Sequence, residues 1–123
     1  MVDVKPFFSV VHDPTLMETF VATRARGATC NGIRLSISRK QDPGTVVLGT
    51  SIPPLAQEGR EERDRALALL KAASDNVFIV RPMAAVSLQL AYVAAGRLDS
   101  FRETGNDPSD WLAGRLLVTE AGG

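Results

Sequence analysis

The sequence predicts an α/β domain, a layered mixed sheet flanked by helices. Three observations carry that prediction. Short apolar runs broken by turn residues fill the first third of the chain, helix and strand patterns then alternate, and one of those helices carries almost no polar residue. The 123 residues, 45% of them hydrophobic, suit a single domain over residues 1–123 with a core of its own.

Each element follows from local pattern. Phe7, Phe8, Val10 and Val11 form a strand that stops at His12-Asp13-Pro14, and Phe20-Val21-Ala22 resumes it, so the two runs can pair as a hairpin across residues 12–17. Asn31-Gly32 is a turn dipeptide that tolerates positive φ. Strict alternation follows it: Ile33, Leu35 and Ile37 on one side, Arg34, Ser36 and Ser38 on the other, the pattern of a half-buried strand. Asp42-Pro43-Gly44 turns the chain again into Val46-Val47-Leu48, a strand expected to be covered on both faces.

From about Arg60 to Ser74, Ala66, Leu69, Leu70 and Ala73 mark an amphipathic helix. Val77-Phe78-Ile79-Val80, ended by Arg81-Pro82, reads as an interior strand. Ala84 to Ala95 has only Ser87 and Gln89 as polar residues, so this helix is expected between layers. Leu98 to Arg102 forms a further short strand and residues 104–108 a loop. The last helix starts at Pro108 with Asp107 as N-cap, buries Trp111, Leu112, Leu116, Leu117 and Ala121, and closes at Gly122-Gly123.

Composition excludes several functions. Lys plus Arg and Asp plus Glu number 14 each, so the formal charge is zero and a nucleic-acid grip is not expected. A single cysteine, Cys30, makes neither an internal disulfide nor a Cys-rich zinc site. No apolar run reaches the length of a membrane span, and the opening residues do not form a signal peptide. The expectation is a soluble, cytoplasmic protein with no membrane contact.

The chain has no P-loop, Gly-x-Gly-x-x-Gly, His-Glu-x-x-His or Gly-x-Ser-x-Gly. His12 lacks a local partner and reads as a surface turn histidine; Cys30 reads as a structural thiol. Carboxylates are what remains for chemistry. Asp99, Glu103, Asp107 and Asp110 span a strand, a loop and a helix start, where oxygen ligands can converge on a hard cation such as Mg²⁺. The same residues also suit helix capping and the first helical turn, so both readings stay open.

Four stretches carry a resemblance: Arg26-Gly-Ala-Thr-Cys-Asn-Gly32, Leu90-Ala-Tyr-Val-Ala-Ala-Gly-Arg-Leu-Asp99, Pro108-Ser-Asp-Trp-Leu-Ala-Gly114 and Leu116-Leu-Val-Thr-Glu-Ala-Gly-Gly123. Together they resemble the C-terminal half of the inositol monophosphatase family, Mg²⁺-dependent sugar-phosphate phosphatases. The resemblance implies that fold, the phosphatase class, Mg²⁺ as cofactor, a small-molecule sugar phosphate as partner, and room for a homodimer. It implies that Asp110, which matches the aspartate of the family's Trp-Asp pair, is a metal ligand. It also implies that Glu103 contacts substrate hydroxyls, and it assigns no further catalytic residue.

Departures accompany the match. The family's tryptophan position holds Ser109, with Trp111 just beyond Asp110. Where the family has a Gly-Ser pair that contributes to substrate binding, this chain has Ala84-Ala85, losing a hydroxyl, and Gln89 replaces an acidic residue. Fructose bisphosphate and 3′-phosphoadenosine phosphates are alternative substrates among relatives. The N-terminal metal-binding half, with its Asp-Pro-x-Asp-Gly-Thr motif, has no counterpart here: Asp13-Pro14-Thr15-Leu16-Met17 departs after its first two residues. Both ends look cut. The expectation is an enzyme fragment, inactive in isolation and prone to association through exposed apolar surface. The alternative is a non-catalytic binding or assembly module that keeps the fold.

Overall fold

The computed structural model describes residues 5–52, 55–103 and 108–123, with the side chains of residues 55, 57, 58 and 108–110 outside that description. Tight turns fold the first third into an antiparallel meander. β1 (Phe8–Asp13) pairs with β2 (Glu18–Thr23) from Phe8↔Thr23 to Asp13↔Glu18. The turn between them is closed by the Asp13 carboxylate, which accepts the Thr15 N–H at 2.9 Å. β2 pairs in turn with β3 (Gly27–Cys30), and β3 with β4 (Ile33–Arg34) across Asn31-Gly32. Both turn residues have positive φ, 48° and 81°, as expected of this dipeptide. The Asn31 Oδ1 also accepts the Thr19 N–H at 2.9 Å, fixing the turn to β2.

The alternating stretch after this turn does not continue as a strand. β4 is two residues long and Ile33 is 73% exposed. The backbone peels away: the Leu35 N–H still donates to Ala28, but the Ile37 N–H donates to the carbonyl of Ala121. Leu35 and Ile37 pack on the core all the same, so the alternation records burial, not a ladder. Among the described residues the strands form two sheets, one antiparallel and one parallel.

The second sheet is parallel. β5 (Val47–Thr50) lies between β6 (Ile79–Pro82) and β7 (Ser100–Arg102), in the order β6-β5-β7. Its central place explains the burial of Leu48, Gly49 and Thr50. The apolar run ending in β6 was expected in an interior strand. Among the described residues β6 is an edge strand paired only with β5, and Phe78, just before it, and Ile79 are exposed.

Among the described residues three α-helices accompany the sheets. α1 (Leu55–Ser74) is broken at Gly59, where φ is 77° and ψ 172°, so its regular part starts near Arg60 as expected, and it lies against β6. α2 (Val86–Ala94) and α3 (Pro108–Glu120) lie against each other. α2 touches β1 of one sheet and β5 and β7 of the other, the middle-layer position its apolar surface demanded. Phe20, Ala22, Ala28 and Cys30 from the antiparallel sheet meet Ala91, Ala94, Leu116, Leu117 and Ala121 from the helices. At the helix crossing a methyl on Gly114 would overlap the Cβ of Leu90, so glycine sets how closely the axes approach.

Two polar clasps hold the layers. The Arg97 guanidinium, after α2, makes a two-pronged pair with Glu18 of β2 and lies over the rings of Phe20 and Tyr92, at 5.7 and 5.1 Å. That pairing holds the Glu18 carboxyl below its usual range, against the opposing effect of burial. Burial, and then the Glu18 charge beside it, push the Cys30 thiol up, in line with a structural role. The Glu120 carboxylate, at the end of α3, accepts the N–H groups of Gly27 and Ala25 at 2.9 and 3.0 Å, which lowers its proton affinity.

Two outcomes follow. Leu117 is fully buried, so Leu117→Ala costs about 2–5 kcal/mol, read from the shift of a urea-unfolding midpoint. Glu18 and Glu120 bind protons less readily folded than unfolded, so the stability they contribute is present above about pH 4.5 and is lost as pH falls further. The urea midpoint is therefore lower at pH 3 than at pH 7, and Glu120→Gln shrinks that difference; an unchanged difference would discount the clasp.

Candidate functional site

In a parallel sheet every strand delivers its carboxyl end to the same edge, and that edge is where α/β proteins place ligands. Here β5 leads through α1 to β6 on one side, and β6 leads through α2 to β7 on the other. Right-handed crossovers running in opposite directions put their helices on opposite faces, which opens a crevice beyond the carboxyl ends.

Hydrogen bonds join three segments at this edge. The Met83 N–H, in the loop before α2, donates to the Thr50 carbonyl at 2.9 Å. The Thr50 hydroxyl donates to the Arg102 carbonyl at 2.5 Å, and the Ser51 hydroxyl donates to Oε2 of Glu103 at 2.9 Å. Thr50 is buried, whereas Ser51 and Glu103 are half-buried. Gln89 supports the same loop from below: fully buried on α2, its amide Nε2 donates to the Met83 carbonyl at 3.0 Å. Its Oε1 has no partner among the described residues and lies 2.8 Å from where a Cβ on Gly49 would stand.

The sequence-derived candidates are distributed as follows. Glu103 sits just past β7, at this edge. Ala84 and Ala85 lie exposed in the loop before α2, with Ala85 as an N-cap that offers no side-chain hydrogen bond; the helix starts two residues later than expected. Asp110 belongs to the first turn of α3, its side chain outside the described residues, and Asp107 lies outside them altogether. Asp99 separates from the group. It precedes β7, about 13 Å from Glu103 at the rise of a strand. There it accepts the Val47 N–H at 2.7 Å and pairs with Lys40 at 3.0 Å. Burial pushes Asp99 up, but hydrogen bonds from Ser38, Val47 and Lys40 outweigh it and hold the carboxyl below its usual value. Its task is to anchor the amino end of the sheet. His12 is exposed as expected, but it lies within β1 opposite Thr19, not in the turn, and it has a partner: it shares a hydrogen bond with the Thr19 hydroxyl at 2.9 Å.

Thr50, Ser51 and the supporting role of Gln89 were not foreseen. The only signal was the Gly49-Thr50-Ser51 run of small and hydroxyl residues closing an apolar strand. A cavity of about 620 Å³ borders β7 from Asp99 to Glu103. Its lining is mixed, with Leu90, Val93, Phe101 and Trp111 alongside Arg102, Glu103 and Arg115, so the edge residue Glu103 also borders this cavity.

Among the described residues no three His, Cys, Asp or Glu side chains form a group able to hold a metal ion. Glu103 is turned to Ser51 and Asp99 to Lys40 and Val47, so these two do not fit a cation together.

The layered α/β fold is that of the inositol monophosphatase family. The profile of the inositol monophosphatase family matches residues 1–123, and the chain belongs to that family. It is 42% identical over 115 residues to the Nus factor SuhB of Pseudomonas aeruginosa and 39% identical over 115 residues to the inositol-1-monophosphatase of Rhizobium meliloti. In each case 94% of this chain is matched, but only 42% of the relative. The crystal structure of the extragenic suppressor protein SuhB of Bartonella henselae superposes with a TM-score of 0.86 at 34% identity, over 96% of this chain and 44% of that one. The inositol monophosphatase of Anabaena gives 0.83 at 30%, over 96% and 46%. The chain thus spans under half the length of these relatives. Among the described residues no helix is long and apolar enough to cross a membrane.

Gly49→Ala tests the support of the edge. The added methyl meets Gln89 Oε1 and Leu98 Cδ1, each at 2.8 Å, in a closed interior. It costs about 1–3 kcal/mol in a urea-unfolding experiment, and Gly49→Ala combined with Gln89→Ala recovers part of that loss.

Proposed function

We propose that this chain is the C-terminal part of a Mg²⁺-dependent phosphomonoesterase acting on inositol phosphate or a related sugar phosphate, and that it is inactive in isolation. Family membership together with Glu103 at the carboxyl edge of the parallel sheet carries this reading. In it Glu103 accepts hydrogen bonds from sugar hydroxyls and orients the leaving group, while the Ala84–Ala85 loop shapes the wall beside it. Asp110 contributes one metal ligand. When bound, Mg²⁺ supplies charge stabilisation for phosphoryl transfer to water. The described residues do not form the rest of its site. The partner is a small molecule, the setting cytoplasmic, and a homodimer is compatible with the family.

A second reading has one observation in its favour: the relative at 42% identity bears the name Nus factor. In it the fold serves as a binding or assembly module with no turnover.

Phosphate release from myo-inositol 1-phosphate with added Mg²⁺ separates the two. The expected result is no release by this chain alone, and release when it is joined to the N-terminal half of the Rhizobium relative. Asp110→Asn in the joined protein lowers turnover about a hundredfold or more. A joined, folded protein that releases no phosphate would favour the assembly reading.

A further inference from the structure

The backbone ladder between β5 and β7 ends at Thr50↔Arg102, at the point where the proposed substrate contact begins. Beyond it two successive hydroxyls continue the connection. Thr50 Oγ1 donates to the carbonyl of Arg102, fixing the backbone that enters Glu103, and Ser51 Oγ donates to the Glu103 carboxylate itself. A glutamate side chain standing past the end of a strand has several rotamers open to it, and ordering it costs conformational entropy. A hydroxyl donor on the neighbouring strand removes that freedom before any ligand arrives.

The geometry points to Ser51 as a positioning residue that presets Glu103 for a polyhydroxyl substrate. Its donated hydrogen bond occupies one lone pair of Oε2 and leaves Oε1 to accept from a ligand hydroxyl. An ionised carboxylate only accepts, so the preset group favours ligands that donate, such as polyol or sugar phosphates, over phosphate that carries no sugar hydroxyls. Thr50 acts on the backbone and Ser51 on the side chain; between them they orient one acceptor. This rests on the reading of Glu103 as a substrate-hydroxyl contact.

NMR-monitored titration of the 123-residue chain with myo-inositol 1-phosphate and, separately, inorganic phosphate tests the assignment. Wild type should bind the sugar phosphate about tenfold more tightly than phosphate. Ser51→Ala should remove most of that preference while leaving phosphate affinity unchanged, and Ser51→Thr, which keeps the hydroxyl, should restore it. Amide spectra of each variant report whether the fold is intact. If Ser51→Ala keeps the full preference while Glu103→Gln loses it, the role given to Ser51 is overturned and the reading of Glu103 stands. If wild type shows no preference and Glu103→Gln changes nothing, both fall.

Discussion

The close approach of α2 and α3 is the constraint on which the other contacts depend. In the helical layer between the two sheets, small residues set a short distance between the helix axes. Gly114 lets Leu90 of the facing helix sit against its backbone, while Ala91, Ala94 and Ala121 do the same toward Phe20, Ala22 and Ala28. Larger side chains at the crossing would add apolar area but push the axes apart, and interiors at crystal-like density do not absorb such a shift locally. Arg97 and Glu120 then register this layer on the antiparallel sheet, one clasp following α2 and the other at the end of α3.

This arrangement also decides where chemistry can occur. With α2 held between the sheets, its first turn and the loop before it are fixed at the carboxyl edge of the parallel sheet, and Gln89 ties that loop down from inside the layer. The carboxylates close in sequence are then sorted by strand direction. Asp99 at the amino end of β7 becomes a structural anchor, and Glu103 past the carboxyl end meets Ser51 beyond β5. Proximity along the chain said nothing about that division; the polarity of one short strand settles it.

Much of the fold was legible in local pattern. The β1–β2 hairpin, the Asn31-Gly32 turn, the helix from about Arg60 to Ser74 and the middle-layer position of α2 each rest on turn chemistry or periodicity within a few residues. Two errors share a cause. Alternation at Ile33–Ile37 and the apolar run at Val77–Val80 both report side-chain preference, whereas strand length and edge position depend on which backbone lies alongside. Ile37 finds Ala121, and β6 finds only β5. The edge network was harder still. Thr50 and Ser51 matter because a parallel register sets them beside Arg102 and Glu103, and scattered hydroxyls have no period to reveal such a register.

The two sheets differ in how far along the chain their partners lie. The antiparallel sheet closes entirely between Phe8 and Arg34 through short turns, each strand meeting the one just synthesised. β5, by contrast, must wait for Ile79 on one side and Ser100 on the other, each delivered only after a whole helix has been made. Loop-closure entropy makes such distant pairings slow to form. The loop-closure cost is therefore unevenly shared: small for the meander, and concentrated at the edge that carries Glu103.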